Sequence, residues 1–311
     1  MKKKYLILLI LPLFVTISCV DHPDLPAVPP GVQTYSLLGD TLYTPEIHPD
    51  DFDELNRNLI EAVANYRADP EEPDYVIWLG RRTAYFGEYR EAVRIFTEGI
   101  FKHADDPRMY RHRGHRYLTL RVFDRAIQDF ENAAIFMRHI PDQVEPDGLP
   151  NPLNEPVSTL KSNVWYHLGL THYVKGDFDK AIEAYQNAFE LDLSEDMRIA
   201  TLYWYYSALK RSGRDEEAGL AIKGITPDIE LIENDVYLNL ILVFNGIFDA
   251  DRLMESGEDI ISNVTLAYGL GNWHYMNGRE ERAFEIWNQI YDTGHWPAFG
   301  YIAAEAELAR L

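Results

Sequence analysis

The order of apolar and polar positions repeats along this chain. Gly80 returns as Gly114, Ala92 as Ala126 and Phe96 as Phe130, each after the same interval. That interval is about 34 residues, the length of one helix-turn-helix unit. The same internal spacing returns in Leu168-Gly169 followed by Ala181, Tyr185 and Ala188, and again in Leu270-Gly271 followed by Ala283, Trp287 and Ile290. A weaker copy carries Gly213, Ala218, Ile222 and Ile225, with Tyr206 at the small-residue position. Each copy reads as two helices. The second has an apolar stripe at i, i+4 and i+7, as in Ala181, Tyr185 and Ala188. Gly87, Gly176, Gly213 and Gly278 fall between the two helices, where a glycine can take positive φ and end the first. Gly80, Gly114, Gly169 and Gly271 fall inside the first helix, where glycine costs about 1 kcal/mol relative to alanine. That cost predicts a close crossing that no side chain could enter. One such hairpin cannot bury its own apolar face, whereas stacked neighbours can. The pattern therefore predicts an all-α protein, an α-solenoid of stacked helix-turn-helix units.

Strong copies start near residues 73, 107, 162 and 264, and a weaker one near 199. Between Tyr206 and Gly271 there is room for one degenerate copy, carried by Tyr237, Leu240, Ile241 and Phe244. Residues 51–68 read as an N-terminal capping helix. Residues 297–311, with Ala303, Ala304, Ala306 and Ala309, read as a C-terminal one packed flat on the last repeat. One interruption breaks the period, because Gly114 and Gly169 are separated by well over one interval and under two. The extra stretch, 141–156, contains five prolines and cannot be helical. A loop this long is functional or a plain connector, and the sequence leaves both readings open. Gly148 within it is expected to meet no close packing.

The repeat resembles the tetratricopeptide repeat. The resemblance is carried best by Val164-Trp165-Tyr166-His167-Leu168-Gly169 through Ala188, and it extends over about residues 50–311. It implies a scaffold that binds a protein or peptide in the concave groove lined by the first helix of each repeat. Transferred position by position, the groove would be lined by Arg81 with Asp74 and Ile77, then by Arg108, Arg111, His112 and His115. Asn163 and Tyr166 would follow from the third strong repeat. Some family members hold a peptide's terminal carboxylate with a Lys-Asn clamp. Here Arg111 and His115 stand in its place, so that mode of binding does not transfer directly.

The N-terminus reads separately. Met1-Lys2-Lys3-Lys4 precedes an apolar run to Val15, too short for the 20 or so residues of a membrane span. Thr16-Ile17-Ser18-Cys19 resembles a lipobox and holds the chain's single cysteine. The resemblance implies a lipoprotein signal peptide over 1–18, lipidation at Cys19, and a bacterial cell-envelope location. Val20 is not the aspartate that commonly retains such lipoproteins at the inner membrane, which favours the outer one. Residues 19–47 are proline-rich and read as an extended tether, so the folded body is assigned to 48–311.

Composition narrows the function. With 29 Lys+Arg against 50 Asp+Glu, the formal charge is −21, which disfavours nucleic acid as a partner. One cysteine excludes an intrachain disulfide and a cysteine-based zinc site. No phosphate loop, nucleophile elbow or His-Glu-x-x-His is present. The expectation is a non-catalytic protein without cofactor or metal. His112 and His115 share a helix face, but the arginines beside them repel a cation. Against the acidic background, 108–117 is the densest cationic patch. It suits an acidic peptide or chain terminus, since the planar guanidinium pairs with carboxylates in two-point geometry. The competing expectation is that these arginines neutralise Asp and Glu of neighbouring helices. Other readings are a binding subunit for a small anionic or cell-wall ligand, and an accessory subunit of an envelope enzyme.

Overall fold

The computed structural model describes residues 25–250 and 263–311. Cys19 and the 1–18 segment lie outside the described residues. Thirteen α-helices are present among those described. α1 (Pro49–Ala68) precedes hairpin α2 (Pro73–Tyr85) and α3 (Tyr89–Lys102), then hairpin α4 (Pro107–Thr119) and α5 (Phe123–Phe136). After the insertion come α6 (Leu160–Lys175) with α7 (Phe178–Phe189), and α8 (Glu195–Arg211) with the short α9 (Asp215–Ala221). α10 (Asp235–Phe244) is the first helix of the degenerate copy. α11 (Val264–Met276), α12 (Glu280–Asp292) and α13 (Phe299–Leu308) close the stack. No helix among the described residues is long and apolar enough to cross a membrane.

Local chemistry sets the ends. α2 and α4 begin at Pro73 and Pro107, with Glu72 and Asp106 accepting a backbone N–H as N-caps. Gly87, Gly176, Gly213 and Gly278 end first helices at φ of 74–91°. Gly80, Gly114, Gly169 and Gly271 each receive an aromatic ring from the second helix of their own hairpin. A Cβ at Gly80 would stand 2.4 Å from Phe96, at Gly169 2.4 Å from Tyr185, and at Gly271 2.6 Å from Trp287. The corresponding ring, Phe130, faces Gly114 at 3.1 Å. Phe96, Phe130, Tyr185 and Trp287 are essentially fully buried. Burying each ring stabilises the stack by about 1.5–3 kcal/mol, more than the local glycine cost. First helices touch first helices, α2 with α4, α4 with α6 and α6 with α8, and these form the inner row.

Two segments depart from expectation. Within 19–47, read as an extended tether, β1 (Val32–Tyr35) and β2 (Thr41–Tyr43) pair as an antiparallel hairpin. It packs on the repeats, with Thr34 Oγ1 donating to the Leu120 carbonyl at 2.7 Å and Arg90 donating to the Gln33 carbonyl. The C-terminal helix α13 does pack on α11 and α12, but it also reaches α6 across the inner row. Phe299 packs tilted against His115 of α4 and edge-on to His167 of α6, with ring centroids 5.2 and 5.5 Å away.

The reason for that course is Arg121. It occupies the α4–α5 turn position where other copies carry glycine, and it keeps the left-handed conformation at φ 63°. Its guanidinium pairs with Glu305 of α13, and both side chains are almost fully buried. It also donates to the Trp296 carbonyl at 2.9 Å. Leu37 of the N-terminal hairpin donates its backbone N–H to the same Glu305 carboxylate. Arg211 and Arg310 flank Glu307, further along α13.

Candidate functional site

The groove positions on α2 and α4 do converge, and the insertion lies against them. Arg81 and Arg82 extend from the last turns of α2 and flank Trp78, with guanidinium carbons 4.3 and 4.8 Å from its ring centroid. Arg81 donates to the Pro146 carbonyl at 2.7 Å and Arg82 to the Gly148 carbonyl at 2.6 Å. Arg111 of α4 pairs with the Glu145 carboxylate at 2.9 Å, and both side chains are about nine-tenths buried. Residues 145–148 therefore present one carboxylate and two carbonyls to three arginines of the first two hairpins. Gly148 is not loosely placed, since a Cβ there would fall 1.6 Å from the Tyr85 hydroxyl. That differs from the sequence expectation for this glycine.

The insertion is anchored at both ends. Val144 bridges to Thr159, and Leu160 N–H donates to the Gln143 carbonyl at 2.9 Å. The contacts leave two adjoining cavities. One, of about 220 Å3, is bounded by Asp74, Trp78, Arg81, Arg108, Val144 and Glu145. The other, of about 90 Å3, is bounded by Arg81, Arg111, His112, His115, Arg116 and Glu145.

The arginines of α4 have separate fates. Arg108 forks onto Asp106 at 2.6–3.1 Å and pairs with Asp74 of α2, which is neutralisation between neighbouring helices. Arg113 pairs with Asp129 of α5 through two 2.8 Å hydrogen bonds. Arg116 faces the Tyr89 ring at 5.6 Å, and no carboxylate of the described residues pairs with it. Burial draws the Arg116 guanidinium down to about 10, with nearby Arg111 and Arg81 acting the same way.

The histidines beside them are neutral. Arg111 Nη1 donates to Nδ1 of His112 at 3.2 Å and of His115 at 3.3 Å, because a guanidinium cannot accept. Burial, then the neighbouring charges, hold His112 and His115 well below the usual imidazole range. His112 stacks on Phe96, with centroids 5.6 Å apart.

Asn163 and Tyr166 sit elsewhere. Asn163 is buried and donates to the Ser158 hydroxyl at 2.8 Å. Tyr166 is buried in a network, accepting from Trp204 Nε1 at 2.9 Å with the Tyr237 hydroxyl 3.2 Å away. Both therefore line the interior, apart from the arginine cluster. The residues that sequence reasoning passed over are Glu145, Arg82, Tyr85 and Arg116. Arg116 stood in the same cationic segment, but outside the positions taken for the groove. A further trough of about 740 Å3, with Trp165, Lys161 and Lys180 in its wall, lies between α5, α6 and α7 and shares none of these residues.

The fold and this groove define a helical-repeat solenoid whose inner face is occupied by its own chain. Residues 162–194 match the family described as Tetratricopeptide repeat. The solved tetratricopeptide repeat protein from Parabacteroides merdae has the same fold, at a TM-score of 0.50 and 15% identity, over 84% of this chain and 95% of that one. YrrB, described as a TPR protein with an unusual peptide-binding site, aligns at a TM-score of 0.41 and 15% identity, over 79% of this chain and 97% of that one. MamA aligns at 0.42 and 17% identity, over 57% and 91%. No curated protein sequence matches the chain.

Proposed function

We propose that this protein is a non-catalytic binding scaffold, lipid-anchored through Cys19 in a bacterial cell envelope, with the outer membrane favoured. Its groove around Arg81, Arg108 and Arg111 receives an extended acidic segment of a partner protein. Solenoids of this type are typically scaffolds for protein–protein interaction. What supports the ligand class is the insertion itself, which sets Glu145 on Arg111 and the carbonyls of Pro146 and Gly148 on Arg81 and Arg82. A partner strand with a carboxylate at that register makes the same contacts once residues 143–150 leave the groove. The acidic remainder of the surface repels other acidic chains and confines binding to this patch.

The test uses the full chain with residues 143–150 replaced by a Gly/Ser stretch of equal length. The probe is a fluorescent peptide of the natural 143–150 sequence. It is expected to bind the replaced protein, to bind wild type far more weakly, and to lose affinity as salt rises. The same peptide with alanine for the glutamate is expected not to bind. A folded replacement variant that ignores the natural peptide would overturn the reading.

A further inference from the structure

The smaller cavity has an unusual charge balance. Arg81, Arg111 and Arg116 bound it from α2 and α4, and Glu145 is its one carboxylate. Asp147 interacts electrostatically with Arg81 but lies outside the lining, and its Oδ2 is buried without a hydrogen-bond partner among the described residues. With His112 and His115 neutral, the lining carries an excess of two positive charges. Burying a guanidinium without a counter-ion is costly, and among the described residues no carboxylate pairs with Arg116. Two buried atoms of the lining residues also lack a partner, namely the N–H donor Arg111 Nε and the acceptor Glu145 Oε2. The side chain of Arg111 is only 8% exposed.

These groups are complementary to one kind of ligand. A doubly charged oxyanion offsets the excess charge and accepts from Arg111 Nε and from the Arg116 fork. The cavity, about 90 Å3, equals the liquid volume of roughly three waters at about 30 Å3 each. That suits a compact four-oxygen group. Glu145 then discriminates between such anions. Monohydrogen phosphate carries an O–H that can donate to Glu145 Oε2. Sulfate at neutral pH has no proton and sets an oxygen lone pair against that carboxylate.

We propose that the cavity between Arg81, Arg111, Arg116 and Glu145 is a phosphate site, selective for phosphate over sulfate through the Glu145 carboxylate. The site requires the insertion in place, whereas the peptide reading requires it displaced, so phosphate and a partner segment compete for Arg81 and Arg111, and each reading has its own experiment.

The experiment is equilibrium dialysis of the full wild-type chain with inorganic phosphate, sulfate and glycerol phosphate at constant ionic strength. One inorganic phosphate per chain is expected. Sulfate is expected about tenfold weaker or more, the equivalent of one charge-assisted hydrogen bond. Glycerol phosphate competing equally would assign the phosphate group to a larger ligand that extends into the neighbouring cavity, and failure to compete would assign the site to the free ion. Either result keeps the phosphate chemistry. Arg116→Met is expected to abolish phosphate binding while leaving the unliganded protein folded, since it removes an unpaired cation. Glu145→Gln is expected to bring the two inorganic anions to similar affinity, because an amide can donate to sulfate. Absence of saturable phosphate binding to wild type overturns the site. Equal affinity of wild type for phosphate and sulfate overturns the role of Glu145. Both readings use unsubstituted protein and do not depend on a variant folding.

Discussion

Replacing Arg121 by glycine sets two effects of opposite sign against each other. By the repeat pattern alone, Arg121→Gly should stabilise. The equivalent position is glycine in the other copies, at Gly87, Gly176, Gly213 and Gly278, and Arg121 holds φ 63° there. Relief of a left-handed side chain amounts to about 1–2 kcal/mol. Against this stands the Glu305 carboxylate, which is fully buried and paired with that guanidinium. Removing one partner of a buried pair costs about 3–5 kcal/mol, because the remaining charge is left uncompensated. The net expectation is destabilisation by roughly 1–4 kcal/mol. Urea unfolding followed by circular dichroism measures it. Hydrogen exchange of α13 should also accelerate, since Arg121 and Glu305 tie that helix to the α4–α5 turn. The double variant Arg121→Gly with Glu305→Gln should recover part of the loss by removing the stranded charge. If Arg121→Gly raises the urea midpoint, backbone strain outweighs the ion pair and the account of this contact is wrong.

Acidification should destabilise the fold. His112, His115 and His167 are all held low by burial and by neighbouring Arg111, Arg116, Arg81 and Arg108. Their folded values lie below the unfolded one of 6.5, so the unfolded chain takes up protons first. Stability from this source is present above that pH and lost below it, at up to roughly 4 kcal/mol per pH unit for three sites; urea midpoints that stay level between pH 7.5 and 5.5 would contradict it. Gly169→Leu should destabilise globally by about 1–3 kcal/mol or more through overpacking, because Tyr185 has nowhere to move. Gly148→Leu, which meets the outer end of Tyr85, should instead raise protease cleavage within 141–156 and leave the melting temperature closer to wild type. Cys19→Ser should move the protein from the membrane to the soluble fraction; unchanged membrane association sinks the lipid-anchor proposal.

The helical repeat was legible because its signal is local. A first-helix glycine and the ring on the helix that follows define one contact, and the same contact recurs at Phe96, Phe130, Tyr185 and Trp287. The inner row followed from this register, and so did the convergence of Arg81, Arg108 and Arg111 around adjoining cavities. What stayed hidden depends on contacts without a period. Arg121 and Glu305 are 184 residues apart, and nothing in the alanine pattern of α13 announces that Glu305 turns inward. The five prolines of 141–156 excluded a helix, but they carried no address. The address is Glu145 on Arg111, and one acid among 50 cannot be singled out from sequence. The burial of Asn163 and Tyr166 is not legible either, because a position counted along a helix does not reveal what covers it. Here the covers are Ser158 and the Trp204–Tyr237 pair.

The proposed binding mode has a thermodynamic consequence that follows from how the insertion sits. An intramolecular occupant competes at an effective concentration in the millimolar range for a short tether. A partner's apparent affinity falls by the fraction of molecules in which the groove is open. Such an arrangement is useful only if the occupant binds imperfectly, and its imperfections are visible. Among the described residues, Glu145 leaves one carboxylate oxygen unpartnered, Arg111 keeps an unmatched Nε, and Arg116 has no carboxylate. Each unsatisfied buried group costs about 1–3 kcal/mol. A ligand that satisfies two of them while reproducing the two carbonyl contacts gains roughly 2–6 kcal/mol over the insertion, enough to displace it. A ligand with one carboxylate and no second acceptor only matches the insertion and binds wild type weakly. Selectivity in this groove then rests on the number of acceptor oxygens that a partner brings to Arg111 and Arg116 together.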